Sequence, residues 1–293
     1  MTHARTIVAA SLLALLPTLE AIAQEGAATE VWALEGFSAP ESVVIDTGRG
    51  ELYVSNISGE PTEKNGAGFL SRVSTGGEML EEKWVTGFDA PKGLALDGST
   101  LYVTDIDRLV AVDVAAGKIS DSWQGEGAQF LNDPAVDGNG RVFVSDMATS
   151  TIYVLDGENF SVWLQDEALQ HPNGLKVDNG RLIVAAWGQE MQADFSTRVA
   201  GHLIAVDLET KEISALGSGE PVGNLDGLEP DGAGNWLATD WIGGALLRIR
   251  PDGTFDQLLD LSQGSADLEY LEDEGLAVVP MMMDAKLVAY KIE

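Results

Sequence analysis

Six imperfect copies of one pattern run through this chain, and that periodicity constrains its fold more than any other feature. A polar residue stands five positions before an acid in Glu41-Ser-Val-Val-Ile-Asp46, Lys92-Gly-Leu-Ala-Leu-Asp97, Asn132-Asp-Pro-Ala-Val-Asp137, Asn173-Gly-Leu-Lys-Val-Asp178, Asp226-Gly-Leu-Glu-Pro-Asp231 and Asp267-Leu-Glu-Tyr-Leu-Glu272. Four to six residues after each acid a second β-rich run begins: Leu52-Tyr-Val-Ser, Leu101-Tyr-Val-Thr, Val142-Phe-Val-Ser, Leu182-Ile-Val-Ala, Trp236-Leu-Ala-Thr and Leu276-Ala-Val-Val. Gly, Asn and Asp fill most of the gaps as hairpin turns. A third run follows in every unit, as in Leu109-Val-Ala-Val-Asp113 and Leu203-Ile-Ala-Val-Asp207, and Trp84, Trp123 and Trp163 mark a fourth strand in three units. No helical periodicity competes with this pattern.

The sixth unit lacks a fourth strand of its own, but Val31-Trp-Ala-Leu-Glu-Gly-Phe37 before Ala39-Pro40-Glu41 matches Lys83-Trp-Val-Thr-Gly-Phe88 before Ala90-Pro91-Lys92. An N-terminal strand that completes the last unit closes a ring. Six four-stranded antiparallel units, 40 to 53 residues apart, therefore predict an all-β, six-bladed β-propeller, which protects its sheet edges by radial repetition. An open β-solenoid is the competing arrangement, and the displaced strand argues against it.

Ahead of the repeats, Arg5, the apolar run Ile7 to Leu16 and the small-x-small triplet Ala21-Ile22-Ala23 read as a signal peptide, cleaved after Ala23. The mature domain is then residues 24–293, exported to the periplasm or the exterior, with no apolar stretch approaching the ~20 residues of a membrane span. The balance of 17 Lys+Arg against 47 Asp+Glu gives a net charge of −30, which disfavours nucleic acid and anionic membranes as partners. With no cysteine, the chain has no disulfide, thiolate metal site or cysteine nucleophile, so a bound metal must sit on oxygen or imidazole. No phosphate-cradling Gly-x4-Gly-Lys-Ser/Thr loop occurs. Of the mature histidines, His171 and His202, both read as structural. The acids Asp46, Asp97, Asp137, Asp178 and Asp231 recur so regularly that turn hydrogen bonding explains them better than catalysis does.

In a blade that meanders outward, the first strand lines the axis. The polar positions Glu41, Lys92, Asn132, Asn173, Asp226 and Asp267 are therefore expected to converge on one channel mouth. Crowded carboxylates raise one another's pKa unless a cation lies among them, and an oxygen-only donor set selects a hard ion. The expected ion is Ca²⁺, with Mg²⁺ or Mn²⁺ as alternatives, on Glu41, Asn132, Asn173 and Asp226. Lys92 is the odd member: an ammonium beside a cation with a lowered pKa would be a candidate base, and an ion pair with Asp105 or Asp267 is the plainer alternative.

The Asn132-Asp133, Asn173-Gly174 and Asp226-Gly227 openings of units three to five, with Glu41 in the first, resemble the senescence marker protein/gluconolactonase/luciferin-regenerating-enzyme family over the whole mature chain, and the paraoxonases more distantly. That resemblance implies metal-dependent hydrolysis of lactones or related esters, with Asp226 as base candidate and Asn132 facing either substrate or metal. The family's gluconolactonase branch has an Arg where this chain has Phe130 and Glu-Gly-Pro where it has Glu41-Ser42-Val43, so an apolar or aromatic ligand is expected instead of a sugar acid. Asp133, Phe130, Met147, Trp187, Trp241, Asp267 and Met282 are the expected substrate contacts. The longest loops, Asn56 to Gly68 and Ala186 to Gly201, should overhang the mouth from opposite blades. A noncatalytic propeller that binds a ligand or protein partner around a structural metal is the alternative function.

Overall fold

A computed structural model describes residues 28–293; the expected signal peptide lies outside the described residues. Six four-stranded antiparallel sheets are arranged as a β-propeller. The innermost strands are Pro40–Asp46, Pro91–Asp97, Leu131–Val136, Pro172–Asp178, Leu225–Pro230 and Glu269–Leu271, and each touches its two neighbours around the axis. Ala28–Glu35 pairs antiparallel with Lys286–Ile292 as the outer strand of the sixth blade, so the ring closes as the repeats predict. Among the described residues no helix is long and apolar enough to cross a membrane.

The apolar face of each strand goes between blades. Six buried clusters result, each shared by two neighbouring blades: Phe143, Ile152, Leu182 and Val206 pack blade three on blade four, and Leu52, Val54, Val278 and Leu287 pack blade one on blade six. The outer-strand tryptophans cover these wedges. Trp84 stacks on Tyr53 with centroids 4.8 Å apart, and Trp163 meets Phe143 edge-on at 5.0 Å.

Three of the five repeated acids, Asp46, Asp137 and Asp231, close inner hairpins, Asp46 by accepting from Arg49 N, whereas Asp178 accepts from the Asn179 and Arg181 side chains. Asp137 accepts from the backbone N–H of Asn139 and Arg141, and Asp231 from those of Ala233 and Asn235. Such Asx turns satisfy loop donors that have no strand partner.

At the head of each inner strand the register shifts by one. Pro40 faces Asn56 but Val43 faces Val54, so Glu41 and Ser42 together oppose Ser55. The same shift follows Pro91, Leu131, Pro172 and Leu225, and it places Ala266 and Asp267 opposite Pro280 in blade six. A bulge at this position re-aims a side chain out of the pleat. The second bulge residue is Gly174 in blade four and Gly227 in blade five, because a Cβ there would run into the backbone of Asp226 or Leu268 in the next blade.

Because stability resides in the inter-blade wedges, Phe143→Ala should lower unfolding free energy by about 3–5 kcal/mol. Phe255, 39% exposed on an outer strand, should lose no more than about 0.5 kcal/mol on the same change, as denaturant titration will measure.

Candidate metal centre

The bulges bring five of the six expected positions to one mouth. Glu41, Lys92, Asn132, Asn173 and Asp226 together line a cavity of about 280 Å³. The sixth does not join them: by register the blade-six counterpart of Asn173 and Asp226 is Ala266, and Asp267 corresponds to Asp133 one residue further on. A one-residue slip along a strand changes which way a side chain points. Asp267 accepts instead from Ser42 Oγ at 2.5 Å, and Asp133 accepts from the Leu175 N–H at 2.7 Å. Both line a separate axial cavity of about 180 Å³ with Lys176, Glu229 and Glu269, below the mouth.

Hydroxyl side chains opposite the bulges hold this ring in place. Ser145 Oγ accepts from Asp133 N (2.9 Å) and donates to the carbonyl of Asn173 (2.7 Å) in the next blade. Thr239 Oγ1 likewise accepts from Gly227 N and donates to Ala266 O, while Thr104 Oγ1 donates to Asn132 O. Each such hydroxyl ties one blade's bulge to the next blade's ring position. The residue that follows does a second job: Asp146 accepts from Gln129 N and Phe130 N, and Asp105 from Asp89 N and Ala90 N, fixing the segment that leads into the inner strand. Sequence reasoning quoted these residues as strand ends and missed their role. The recurring hydroxyl in Leu-Tyr-Val-Ser, Leu-Tyr-Val-Thr, Val-Phe-Val-Ser and Trp-Leu-Ala-Thr, followed by Asn or Asp, was the available signal.

The ring is buried and short of donors. Glu41 is 5% exposed and Asn173 1%, yet Glu41 Oε2 and Asn173 Oδ1 have no hydrogen-bond partner. The Asn173 amide bonds to Asp226, which leaves its own oxygen free. Burial first, then the Asp226 charge, holds Glu41 well above the usual carboxylate range. Burial and the Asp267 charge do the same to Asp226, against the bond from Asn173. Among the described residues no three carboxylate, histidine or cysteine side chains gather to hold an ion. The donor set that does gather is two carboxylates and two amides, Glu41, Asp226, Asn132 and Asn173. Unpartnered buried oxygens and an all-oxygen set fit a hard divalent cation.

Lys92 pairs with neither Asp105 nor Asp267. Its Nζ donates to Pro61 O (2.8 Å) and Ala90 O (3.1 Å) and lies 4.6 Å from the centroid of the Phe130 ring, while Asp105 is taken by Arg108 at 2.6 Å. Burial lowers the Lys92 pKa to about 8, against the pull of Glu41 and Asp105. Lys92 thus ties the blade-one loop to the pocket floor.

The walls come from the loops. Phe130, Met147, Trp187, Trp241 and Met282 all line the cavity, as does Met283 of the Met281-Met-Met283 run, which was also expected to wall it; Ile57, Pro61 and Phe195 join them from the two long loops expected over the mouth, where no periodicity singled out individual side chains. The Ala186 to Gly201 loop folds into a two-stranded ribbon, Gly188–Gln189 with Val199–Ala200, and Asn224 Nδ2 pins it to blade five through Trp187 O. His171 lies behind the wall, its Nδ1 2.8 Å from Met147 O.

A family model for the SMP-30/gluconolactonase/LRE-like region matches residues 39–265. The chain belongs to that family. Among solved structures, a gluconolactonase of Xanthomonas campestris superposes with a TM-score of 0.67 at 15% identity, covering 88% of this chain and 87% of that one. A putative gluconolactonase gives 0.63 at 18%, covering 92% and 94%, and a streptogramin B lyase 0.60 at 12%, covering 88% and 94%. At such identities the likeness concerns the fold. Comparison with curated protein sequences gives no match.

Two outcomes follow from the burial of these acids and from the hydroxyl ties. Burial raises Asp267 to about 7, and burial with the Glu229 charge raises Glu269 to about 8. A carboxyl raised in the folded state stabilises fully below its unfolded pKa, and that stability is lost as pH rises through the folded value. Melting temperature in chelator should therefore fall steadily from about pH 4 to about pH 8; a rise across that window would contradict the burial of these acids. Separately, Ser145→Ala leaves the Asp133 N–H unpaired and should cost about 1–3 kcal/mol by denaturant titration. If the ring holds a divalent cation, the same change should weaken its binding by about 10- to 100-fold by calorimetry, as expected when the support of a ligand is removed.

Proposed function

We propose that this chain is an exported hydrolase of lactones or related esters that depends on a divalent metal, with Ca²⁺ as the favoured ion and Mg²⁺ or Mn²⁺ as alternatives. The observation that carries the reading is the pair of unpartnered buried oxygens, Glu41 Oε2 and Asn173 Oδ1, on the floor of an open pocket in a propeller of this family. Glu41, Asn132, Asn173 and Asp226 would hold the ion. When bound, it supplies Lewis-acid polarisation of the ester carbonyl.

The rest of the chemistry falls to the protein. Asp226 is the proposed base: buried on the floor and oriented by the Asn173 amide, its carboxylate takes the proton of the attacking water. Lys92, expected as a possible base, is assigned a positioning role, because its Nζ is committed to two carbonyls and to the Phe130 face. The four ring residues are themselves buried beneath apolar walls, which strengthens the electrostatic contacts they make.

Hydrolysis of a lactone and aryl-ester panel should be abolished by chelator and restored by Ca²⁺, with Asp226→Asn lowering kcat by at least about 100-fold while the fold is kept. A protein that binds the ion and hydrolyses nothing on that panel would overturn the proposal and leave the noncatalytic binding propeller in its place.

A further inference from the structure

The polar atoms near the mouth are already in use, with the exception of those on the floor. Trp187 Nε1 donates to Phe195 O at 2.8 Å, and Asn224 Nδ2 donates to Trp187 O and Thr197 Oγ1 at 2.8 Å each. Lys92 Nζ is spent on Pro61 O and Ala90 O. What remains facing the space above the ring is aromatic carbon and thioether. Phe130 and Phe195 approach to 5.8 Å between centroids, tilted by 51°, and Trp187 and Trp241 to 6.1 Å, tilted by 53°. These rings form one wall across blades three, four and five. Across from it stand Ile57 of blade one and Met282 and Met283 of blade six, with Met283 64% exposed at the rim.

We propose that this pocket accepts a lactone or ester whose non-reacting side is a single apolar group, aryl or alkyl, and rejects polyhydroxylated lactones. The proposal rests on the hydrolase reading above and names its substrate class. A sugar lactone would place several hydroxyls against ring faces and methionine sulfur, where they lose water without gaining a partner. An apolar group loses nothing there and gains contact with rings on one side and adaptable thioethers on the other. The reacting carbonyl then lies toward Glu41 and Asn173, and the apolar group toward Trp187 and Trp241. In the step itself water oxygen bonds to the acyl carbon, the acyl C–O bond breaks, and the water proton passes through Asp226 to the departing alkoxide. The products are a carboxylic acid and an alcohol, joined in one molecule when the substrate is a lactone.

Two arms test this. In the first, the Ca²⁺-loaded enzyme is given γ-lactones of rising alkyl length, aryl esters of rising ring size, and a gluconolactone. kcat/KM should climb about fourfold per added methylene until the cavity is full, with the gluconolactone at least about 100-fold below the best substrate. The steeper of the alkyl and aryl series identifies which apolar group the site takes. Trp241→Ser and, as a second variant on the opposite wall, Met282→Gln should each flatten that climb. A preference for the gluconolactone, or no dependence on chain length in an active enzyme, overturns the proposal and leaves the hydrolase reading intact. In the second arm the neutral probe N-phenyl-1-naphthylamine is titrated into the same protein in chelator, where hydrolysis plays no part. Binding that both variants weaken supports an apolar site even if no ester is turned over, a result that would sink the hydrolase reading alone. Failure of the probe to bind overturns the apolar site.

Discussion

Everything at the mouth of this propeller depends on one extra residue at the head of each inner strand. A regular ladder would send alternate side chains to opposite faces, and neighbouring blades would present whatever their register dictated. The bulge instead sets Glu41, Asn132, Asn173 and Asp226 at equivalent places on separate blades and turns them to one point. Serine and threonine hydroxyls opposite the bulges then link each blade to the next, as Ser145 does to Asn173. Buried hydrogen bonds of this kind add modestly to stability, but leaving them unmade is costly, so they fix position more than they strengthen the fold. The carboxylates and amides they carry are consequently held together despite mutual repulsion and desolvation, and two of their oxygens have no partner at all.

The division of labour between layers follows. Inter-blade apolar wedges supply stability, the bulge and hydroxyl layer sets geometry, and the long loops of blades one and four help to wall the pocket. Lys92 joins the last two, since its ammonium reaches from the floor to Pro61 in the blade-one loop. Below the floor a second polar layer, Asp133, Asp267, Glu229 and Glu269 around Lys176, occupies the axis, and Lys176 pairs with Glu229 at 2.5 Å. The two layers are stacked along the axis and are lined by different residues.

The propeller was legible in the sequence because the same short apolar runs recur six times between glycine, asparagine and aspartate turns, and because the displaced Val31 to Phe37 strand copies Lys83 to Phe88. Four ring positions and Lys92 were legible for the same reason: each stands at a fixed distance ahead of a turn acid. Asp267 misled because blade six has only a three-residue paired inner strand, Glu269–Leu271, and its Asp-Leu-Glu imitates the pattern one residue late. In its place Ala266 leaves the ring open on that side. The hydroxyl ties went unread because serine and threonine are ordinary strand residues; their recurrence just ahead of Asn or Asp marks the position, but only the shift in register gives it a task. Phe195, Ile57 and Pro61 reach the pocket from loops, where no period marks a side chain's direction.

The central claim, that oxygens from four blades share one ion, is tested most directly by anomalous diffraction from crystals of the protein soaked in Mn²⁺. The account predicts a single strong peak within bonding distance of Glu41, Asn132, Asn173 and Asp226. A peak confined to the axial layer beside Asp133 and Asp267, or none at saturating Mn²⁺, would contradict it.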